Sequence, residues 1–67
     1  MLYQICHQFK KDRMKVEMMA QSDINSNSEM EAFVREVKKR HPLPSNKYDW
    51  LVCNEKSKYF TWAVEKI

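Results

Sequence analysis

The sequence predicts an α+β fold in which a four-stranded, antiparallel-rich sheet carries one helix packed on one face. Three observations lead to this class: an N-terminal pair of alternating segments, a capped amphipathic stretch after them, and an aromatic-rich hairpin at the end. The 67 residues leave room for one core, so residues 1–67 are expected to form a single domain. The predicted order is therefore β-β-α-β-β in two layers.

The first hairpin is predicted from residues 2–9 and 14–20, where apolar and polar side chains alternate with a period of two. The apolar positions of both segments share one face, which holds Tyr3, Ile5, His7, Phe9, Met14, Val16, Met18 and Ala20. A four-residue turn joins the segments, and Asp12 is its candidate for a positive φ because the chain has no glycine. In this register Ile5 faces Met18, and one face of the hairpin is apolar throughout.

A helix is predicted from about Ser28 or Glu29 to Arg40. Two overlapping Ser-x-x-Glu boxes, which start at Ser26 and Ser28, supply a hydroxyl and a carboxylate for the first backbone N–H groups. Apolar residues then recur along one face at Met30, Phe33, Val34 and Val37. Pro42 ends the helix, since proline cannot continue it.

The second hairpin is predicted from residues 48–53 and 58–64. Its expected inner face, toward the helix, holds Leu51, Phe60, Trp62 and Val64. Its other face holds Tyr48, Trp50, Val52 and Tyr59. One helix cannot cover both faces of a sheet, so the second set is expected to lie open. Two alternatives remain: the faces are inverted, or residues 42–46 cover the open side.

This open aromatic face is the candidate partner-binding site, because exposed apolar surface with Trp and Tyr is typical of interfaces. Its residues are Tyr48, Trp50, Val52, Tyr59 and Thr61. The predicted function is a non-enzymatic interaction module that binds a larger protein or ribonucleoprotein and modulates or inhibits it. The same patch would also suit a homodimer, which would help a small core.

Basic residues favour an alternative function, the binding of single-stranded DNA or RNA on the aromatic sheet face. They lie at the first turn and at the end of the helix, and they are Lys10, Lys11, Arg13, Lys15, Lys38, Lys39 and Arg40. The net charge of +3 is modest for such a protein. The group at the helix end is also explained by the helix macrodipole.

The absence of glycine argues against phosphate-cradling loops and EF-hands, and a chain this short offers little room for a substrate pocket. We therefore expect no enzyme activity and no cofactor. Cys6, His7, His41 and Cys53 lack the spacing of a zinc site, so no metal is predicted. Two cysteines without a signal-peptide pattern or membrane span predict reduced thiols in the cytoplasm. A Cys6–Cys53 disulfide is the alternative if the first and third strands are neighbours.

The layout resembles that of small inhibitors encoded by phages and mobile elements, including some anti-CRISPR proteins. The resemblance lies in the tiny β-rich chain, the stretch Glu17-Met18-Met19-Ala20-Gln21-Ser22 before one helix, and the terminal aromatic hairpin from Trp50 to Trp62. It implies a non-enzymatic protein that blocks a larger host complex by occupying a surface, and it assigns no residue a role.

Overall fold

A computed structural model describes residues 1–54 and 65–67 of the chain. Its elements are β1 (Leu2–Phe9), β2 (Asp12–Asp23), α1 (Asn27–Arg40), β3 (Tyr48–Asn54) and the two-residue β4 (Glu65–Lys66). Strands β2, β1 and β3 form a three-stranded antiparallel sheet with β1 in the middle, and α1 packs on one face. The predicted α+β class is therefore confirmed. β4 pairs antiparallel with β3 at Val52, while the predicted strand over residues 58–64 lies outside the described residues.

The turn between β1 and β2 is shorter than predicted, because β1 ends at Phe9 and β2 already begins at Asp12. Ile5 consequently pairs with Ala20 and not with Met18. The expectation of a positive φ at Asp12 is wrong, since no residue in the described part of the chain has one. The Asp12 carboxylate instead accepts a hydrogen bond from the Met14 N–H at 3.1 Å.

A β-bulge in β2 interrupts the alternation on which the predicted apolar face depended. Ile5 pairs with Ala20 and the next β1 residue, Cys6, pairs with Met18, so Met19 is an extra residue on β2. A bulge shifts the following side chains to the other face of the sheet. Val16 therefore packs on the Cys6 side, and Met18 is 51% exposed. The prediction of one continuous apolar face on the hairpin is wrong for this reason.

The helix begins and ends as predicted to within a residue or two. Ser26 is the N-cap, and its hydroxyl accepts from the Glu29 N–H at 3.2 Å. The Glu29 carboxylate in turn accepts from the Asn25 N–H at 3.2 Å, one residue before the position that a capping box uses. The His41 N–H donates to the Val37 carbonyl at 3.0 Å and closes the C-terminus. The predicted apolar stripe packs on the sheet through Met30, Phe33, Val34 and Val37.

Two buried clusters lie on opposite faces of the sheet. The helix-side cluster consists of Ile5, Val37 and Val52, with Trp50 and Tyr3 packed against it. The cysteine cluster consists of Cys6, Leu51 and Cys53, with Val16 packed against it. Because Ile5 pairs with Val52, the even-numbered β3 residues face the helix. The predicted orientation of β3, with Leu51 inside and Trp50 and Val52 on the open face, is therefore wrong, and the inverted alternative is correct.

Candidate functional site

A cleft of about 480 Å³ opens on the sheet beyond the part that the helix covers. The described residues that line it come from β1, β2 and β3, and they are His7, Phe9, Lys15, Val16, Glu17 and Tyr48. The described helix side chains that pack on the sheet contact its other half, near Ile5 and Val52. The cleft therefore begins where the apolar stripe of the helix ends.

Strand register brings the aromatic side chains of the cleft together. Phe9 pairs with Tyr48, and His7 pairs with Trp50, on the two sides of the β1–β3 ladder. The His7 and Tyr48 rings are 4.9 Å apart between centroids and nearly perpendicular, at 84°. The Phe9 and Tyr48 rings are 5.5 Å apart. Such edge-to-face and tilted pairs stabilise an aromatic surface beyond simple area burial, so the cleft has a fixed aromatic floor.

Charged groups border this floor on the β2 side. The Lys15 ammonium lies 5.9 Å from the centroid of the Phe9 ring, within the range of a cation–π contact. Glu17 Oε2 lies 3.4 Å from His7 Nε2. Glu17 reaches His7 because the bulge turns it to the helix face of the sheet, where β2 pairs it directly with His7. The cleft thus offers both a cation and a carboxylate within a few ångströms of the rings.

His7 is the most constrained polar group of the cleft. Its side chain is 13% exposed, and its Nδ1 atom is buried without a hydrogen-bond partner among the described residues. A buried nitrogen of this kind carries a desolvation cost that neighbouring rings do not offset. The ring of His7 is therefore held in the cleft by its contacts with Tyr48 and Glu17.

The five residues predicted for partner binding do not form one surface in the described structure. Tyr48 lines the cleft, and Trp50 lies between the cleft and the helix-side cluster, 6.5 Å from the His7 ring. Val52 is buried beneath the helix and is closed to a partner in this arrangement. The other two, Tyr59 and Thr61, lie outside the described residues. Their role in binding stays a prediction.

The two predicted basic groups lie in different settings. Lys15 lines the cleft, and the Lys10 ammonium lies 3.7 Å from the Asp49 carboxylate next to Tyr48. Lys11 and Arg13 are both exposed near the same turn. At the helix end, the last turn holds Lys38, Lys39 and Arg40. Arg40 lines a separate groove between the helix and β2, so only the first group adjoins the aromatic floor.

Sequence reasoning did not place His7, Phe9 and Glu17 together. It placed His7 and Phe9 on the apolar face of the first hairpin, and unbroken alternation in β2 would put Glu17 on the other face. The bulge at Met19 reverses that assumption, and β2 contains neither glycine nor proline to indicate a bulge. The sequence signal that was available, Trp and Tyr on β3, identified Tyr48 alone among the residues that line the cleft.

The two cysteines are free and both are 2% exposed. Cys53 Sγ lies 3.8 Å from the Gln4 carbonyl oxygen and 3.7 Å from Gln4 Oε1. Burial, and then the neighbouring Cys53, raise the pKa of the Cys6 thiol to about 12. A thiol with such a pKa is protonated at neutral pH and is a poor nucleophile or metal ligand. The described residues contain no group of three or more His, Cys, Asp or Glu that could hold a metal ion.

Comparison with known proteins adds no assignment to this geometry. No protein-family model matches the chain, and neither the curated proteins nor the solved structures yielded a match. Within the part of the chain that the structure describes, no helix is long and apolar enough to cross a membrane. Function is therefore inferred from the residues of the cleft.

Proposed function

We propose that this protein is a small, non-enzymatic module that binds a larger protein through the aromatic cleft. One observation carries the proposal: the rings of His7, Phe9 and Tyr48 form a concave apolar floor that the helix leaves uncovered. Concave aromatic surfaces with charged rims are the usual anchor sites of protein interfaces.

The chemistry of the rim selects the kind of protein that fits. Lys15 contacts the Phe9 ring, and the adjacent turn adds Lys10, Lys11 and Arg13 with Asp12 as its acidic residue. A partner that inserts an aromatic or aliphatic side chain between acidic residues would gain both ring contact and charge complementarity. The acidic Glu17, on the β2 side of the cleft, would repel a second carboxylate there and fix the orientation of the segment.

The proposal includes an inhibitory or modulatory effect, as in the small phage-encoded and mobile-element-encoded inhibitors that the layout resembles. A chain of 67 residues acts most directly by occupying a surface of the complex that it binds. We further propose that residues 58–64 extend the fourth strand ahead of Glu65, which pairs with Val52. Partner contact by Tyr59 and Thr61 stays part of this proposal.

Selection of peptides from a random library tests the cleft directly. A displayed library of 12-residue peptides is selected against the intact protein, and the selected peptides are assayed by isothermal titration calorimetry. We expect peptides that combine an aromatic or aliphatic anchor with acidic residues. Replacing Tyr48 by Ala should weaken their binding at least about tenfold, the typical cost of removing an interface anchor.

Lys39→Ala is the matched control, because Lys39 is exposed on the helix and is not among the described residues that line the cleft. Its affinity for the same peptides should stay within about twofold of the unmodified protein. Circular dichroism must show that Tyr48→Ala remains folded. Selected peptides that bind folded Tyr48→Ala as tightly as the unmodified protein would rule out the cleft as the binding site.

A second function, the binding of single-stranded nucleic acid, is favoured by the cation over the Phe9 ring and the basic turn beside it. Bases would stack on Phe9 and Tyr48 while Lys10, Lys11 and Arg13 contact phosphates. Fluorescence anisotropy with 20-nucleotide DNA and RNA at 20 mM salt tests it. Binding should weaken steeply with added salt, and no anisotropy change at low salt would eliminate this function.

A further inference from the structure

Strand β2 is the long outer strand of the described sheet. It spans Asp12–Asp23 and, in the described residues, has a neighbouring strand on one side only, β1. Two large apolar side chains on it are exposed, Met14 at 88% and Met18 at 51%. A long edge strand with exposed apolar residues can pair with another strand. This edge shares Lys15, Val16 and Glu17 with the border of the cleft, but it does not include the aromatic rings.

The hydrogen-bond ladder shows which backbone groups of β2 point outward. The Lys10 N–H donates to the Lys47 carbonyl at 2.8 Å, in the same register as the β1–β3 pairs. The backbone N–H and C=O groups of successive residues point to alternate sides of a strand. Those of even-numbered β1 residues point toward β3, so those of odd-numbered residues such as His7 point toward β2. His7 pairs with Glu17. The backbone groups of the residues on either side of Glu17 therefore point away from β1, toward the outer edge.

We propose that two copies of this chain associate through their β2 strands, antiparallel, about a two-fold axis at Val16. Val16 of each copy would exchange its N–H and C=O bonds with the partner's Val16. Lys15 would then lie opposite the partner's Glu17, and Met14 opposite the partner's Met18, each contact occurring twice by symmetry. The two exposed methionines would be covered by each other, and every charge at the centre of the interface would meet its opposite.

Other registers lack this complementarity. A two-fold axis at Lys15 or at Glu17 places two like charges directly opposite each other, which destabilises an antiparallel pair. An axis at Met18 brings Lys15 opposite the partner's Gln21 and leaves both charges without an ion pair. Among these four registers, only the axis at Val16 pairs each charge with its opposite and each methionine with a methionine. This match is the reason to propose a second copy of the chain as the partner of β2.

The irregular pairing at the start of β2 leaves residues 13–15 outside the β1–β2 ladder, so they can pair with a second copy. The pair Gln8–Val16 is followed directly by Phe9–Asp12, so residues 13–15 have no paired residue on β1. Their conformation is therefore not fixed by the β1–β2 ladder at the position where the second copy would add. In the dimer, the Lys15 side chain would exchange its contact with the Phe9 ring for the partner's Glu17.

Reversal of single charges tests the proposed register by sedimentation equilibrium between 10 µM and 1 mM protein. Lys15→Glu places a second carboxylate opposite the partner's Glu17, and Glu17→Lys creates the converse lysine pairs. Each variant alone should dimerise at least about tenfold more weakly than the unmodified protein, because two favourable pairs become unfavourable. Mixed in equal amounts, the two variants should form a heterodimer with an affinity within about threefold of the original.

Lys11→Glu is the matched control, since it makes the same change in net charge at an exposed turn residue outside the interface. Its dimerisation should stay within about twofold. The mixture keeps the test decisive even if one variant is less stable, because only complementary charges restore association. Three results would overturn the proposal: an unmodified protein that is monomeric at 1 mM, a dimer that tolerates both reversals, or a mixture that does not associate.

Discussion

The two faces of the sheet are buried by different means. On one face, Ile5 and Val52 lie beneath the helix, which contributes Val37 to the same cluster. On the other face, Cys6, Leu51 and Cys53 are 2–3% exposed, although the described helix packs on the opposite side. β3 therefore has three consecutive buried residues, Leu51 to Cys53. A strand with both faces buried loses the apolar–polar alternation that marks a half-exposed strand.

This difference accounts for the position of the proposed binding surface at one end of the sheet. The cysteine cluster is buried on the face opposite the described helix, and the helix packs on half of the other face. The described residues that line the aromatic floor around Tyr48 include none from the helix. Tests that perturb one cluster at a time show whether the two faces contribute equally to stability.

Truncation of one central residue in each cluster should give the largest effects. Ile5→Ala and Leu51→Ala each remove a side chain that is at most 3% exposed, and each should lower the free energy of unfolding by about 3 kcal/mol. Urea denaturation followed by tryptophan fluorescence measures the loss. Lys11→Ala, at an exposed turn position, should change it by less than about 0.5 kcal/mol. A cost below about 1 kcal/mol for Leu51→Ala would mean that the cysteine face is not a second core.

Cys6→Ser probes the polarity of the second face. A serine hydroxyl in this apolar cluster needs a hydrogen bond that the surroundings do not offer as readily as water, so we expect a loss of about 2 kcal/mol. Cys6→Ala removes the sulfur without adding a polar group and should cost about 1 kcal/mol. The order of the two variants in thermal unfolding is the decisive readout. Equal melting temperatures would indicate that water or polar groups reach the cluster.

Much of the fold was predictable from local sequence signals. The cap at Ser26 and the apolar stripe from Met30 to Val37 are short-range patterns, and both give the helix correctly. β1 and β3 begin within a residue of their predicted positions because β-branched and aromatic residues concentrate there. The pairing of β3 with the second edge of β1 could not be predicted in the same way, because it depends on contacts between residues far apart in the sequence.

The face assignments failed for a physical reason that particular residues show. Leu51, Val52 and Cys53 are all apolar, so the sequence contains no polar residue to indicate which of them faces the helix. In β2, the extra residue Met19 reverses the faces of Val16 and Glu17 without a glycine or proline to mark the bulge. The cleft depends on both features, and only Tyr48 among its lining residues belonged to the predicted partner-binding set.

The stability that the cysteine cluster contributes should depend on alkaline pH, because it contains a buried thiol. Burial raises the pKa of the Cys6 thiol from 9.0 to about 12, so the folded state keeps its proton while the unfolded chain releases it. Stability from this group is complete below pH 9 and is lost as pH rises toward 12. At pH 10 the loss is about 1.4 kcal/mol, one unit above the unfolded pKa.

Comparison with Cys6→Ala isolates this contribution, because every other titratable group is the same in both proteins. Urea denaturation at pH 8, 9 and 10 should show a shallower decline for the variant. The same decline in both proteins would mean that Cys6 ionises as easily in the folded state as in the unfolded chain. A second raised pKa, that of Cys53, makes Cys53→Ala the companion variant.

The smallest expected effect comes from the helix cap. Ser26→Ala removes the acceptor for the Glu29 N–H and should cost about 1 kcal/mol. Ser28→Ala is the matched control, since the Ser28 hydroxyl contacts only that of Ser26, at 3.2 Å, among the described side-chain bonds. Its cost should be a few tenths of a kcal/mol.

The rate at which a thiol reagent labels Cys6 and Cys53 in Ser26→Ala shows how the two faces are coupled. The cap stabilises only the helix, which covers the face opposite the cysteines. If the domain opens as one unit, labelling should accelerate by about fivefold, the factor that corresponds to 1 kcal/mol. If the helix detaches while the sheet stays closed, labelling keeps its original rate although Ile5 becomes exposed. The cysteine face would then be a core that is stable without the helix, and the uncovered cleft would widen whenever the helix opens.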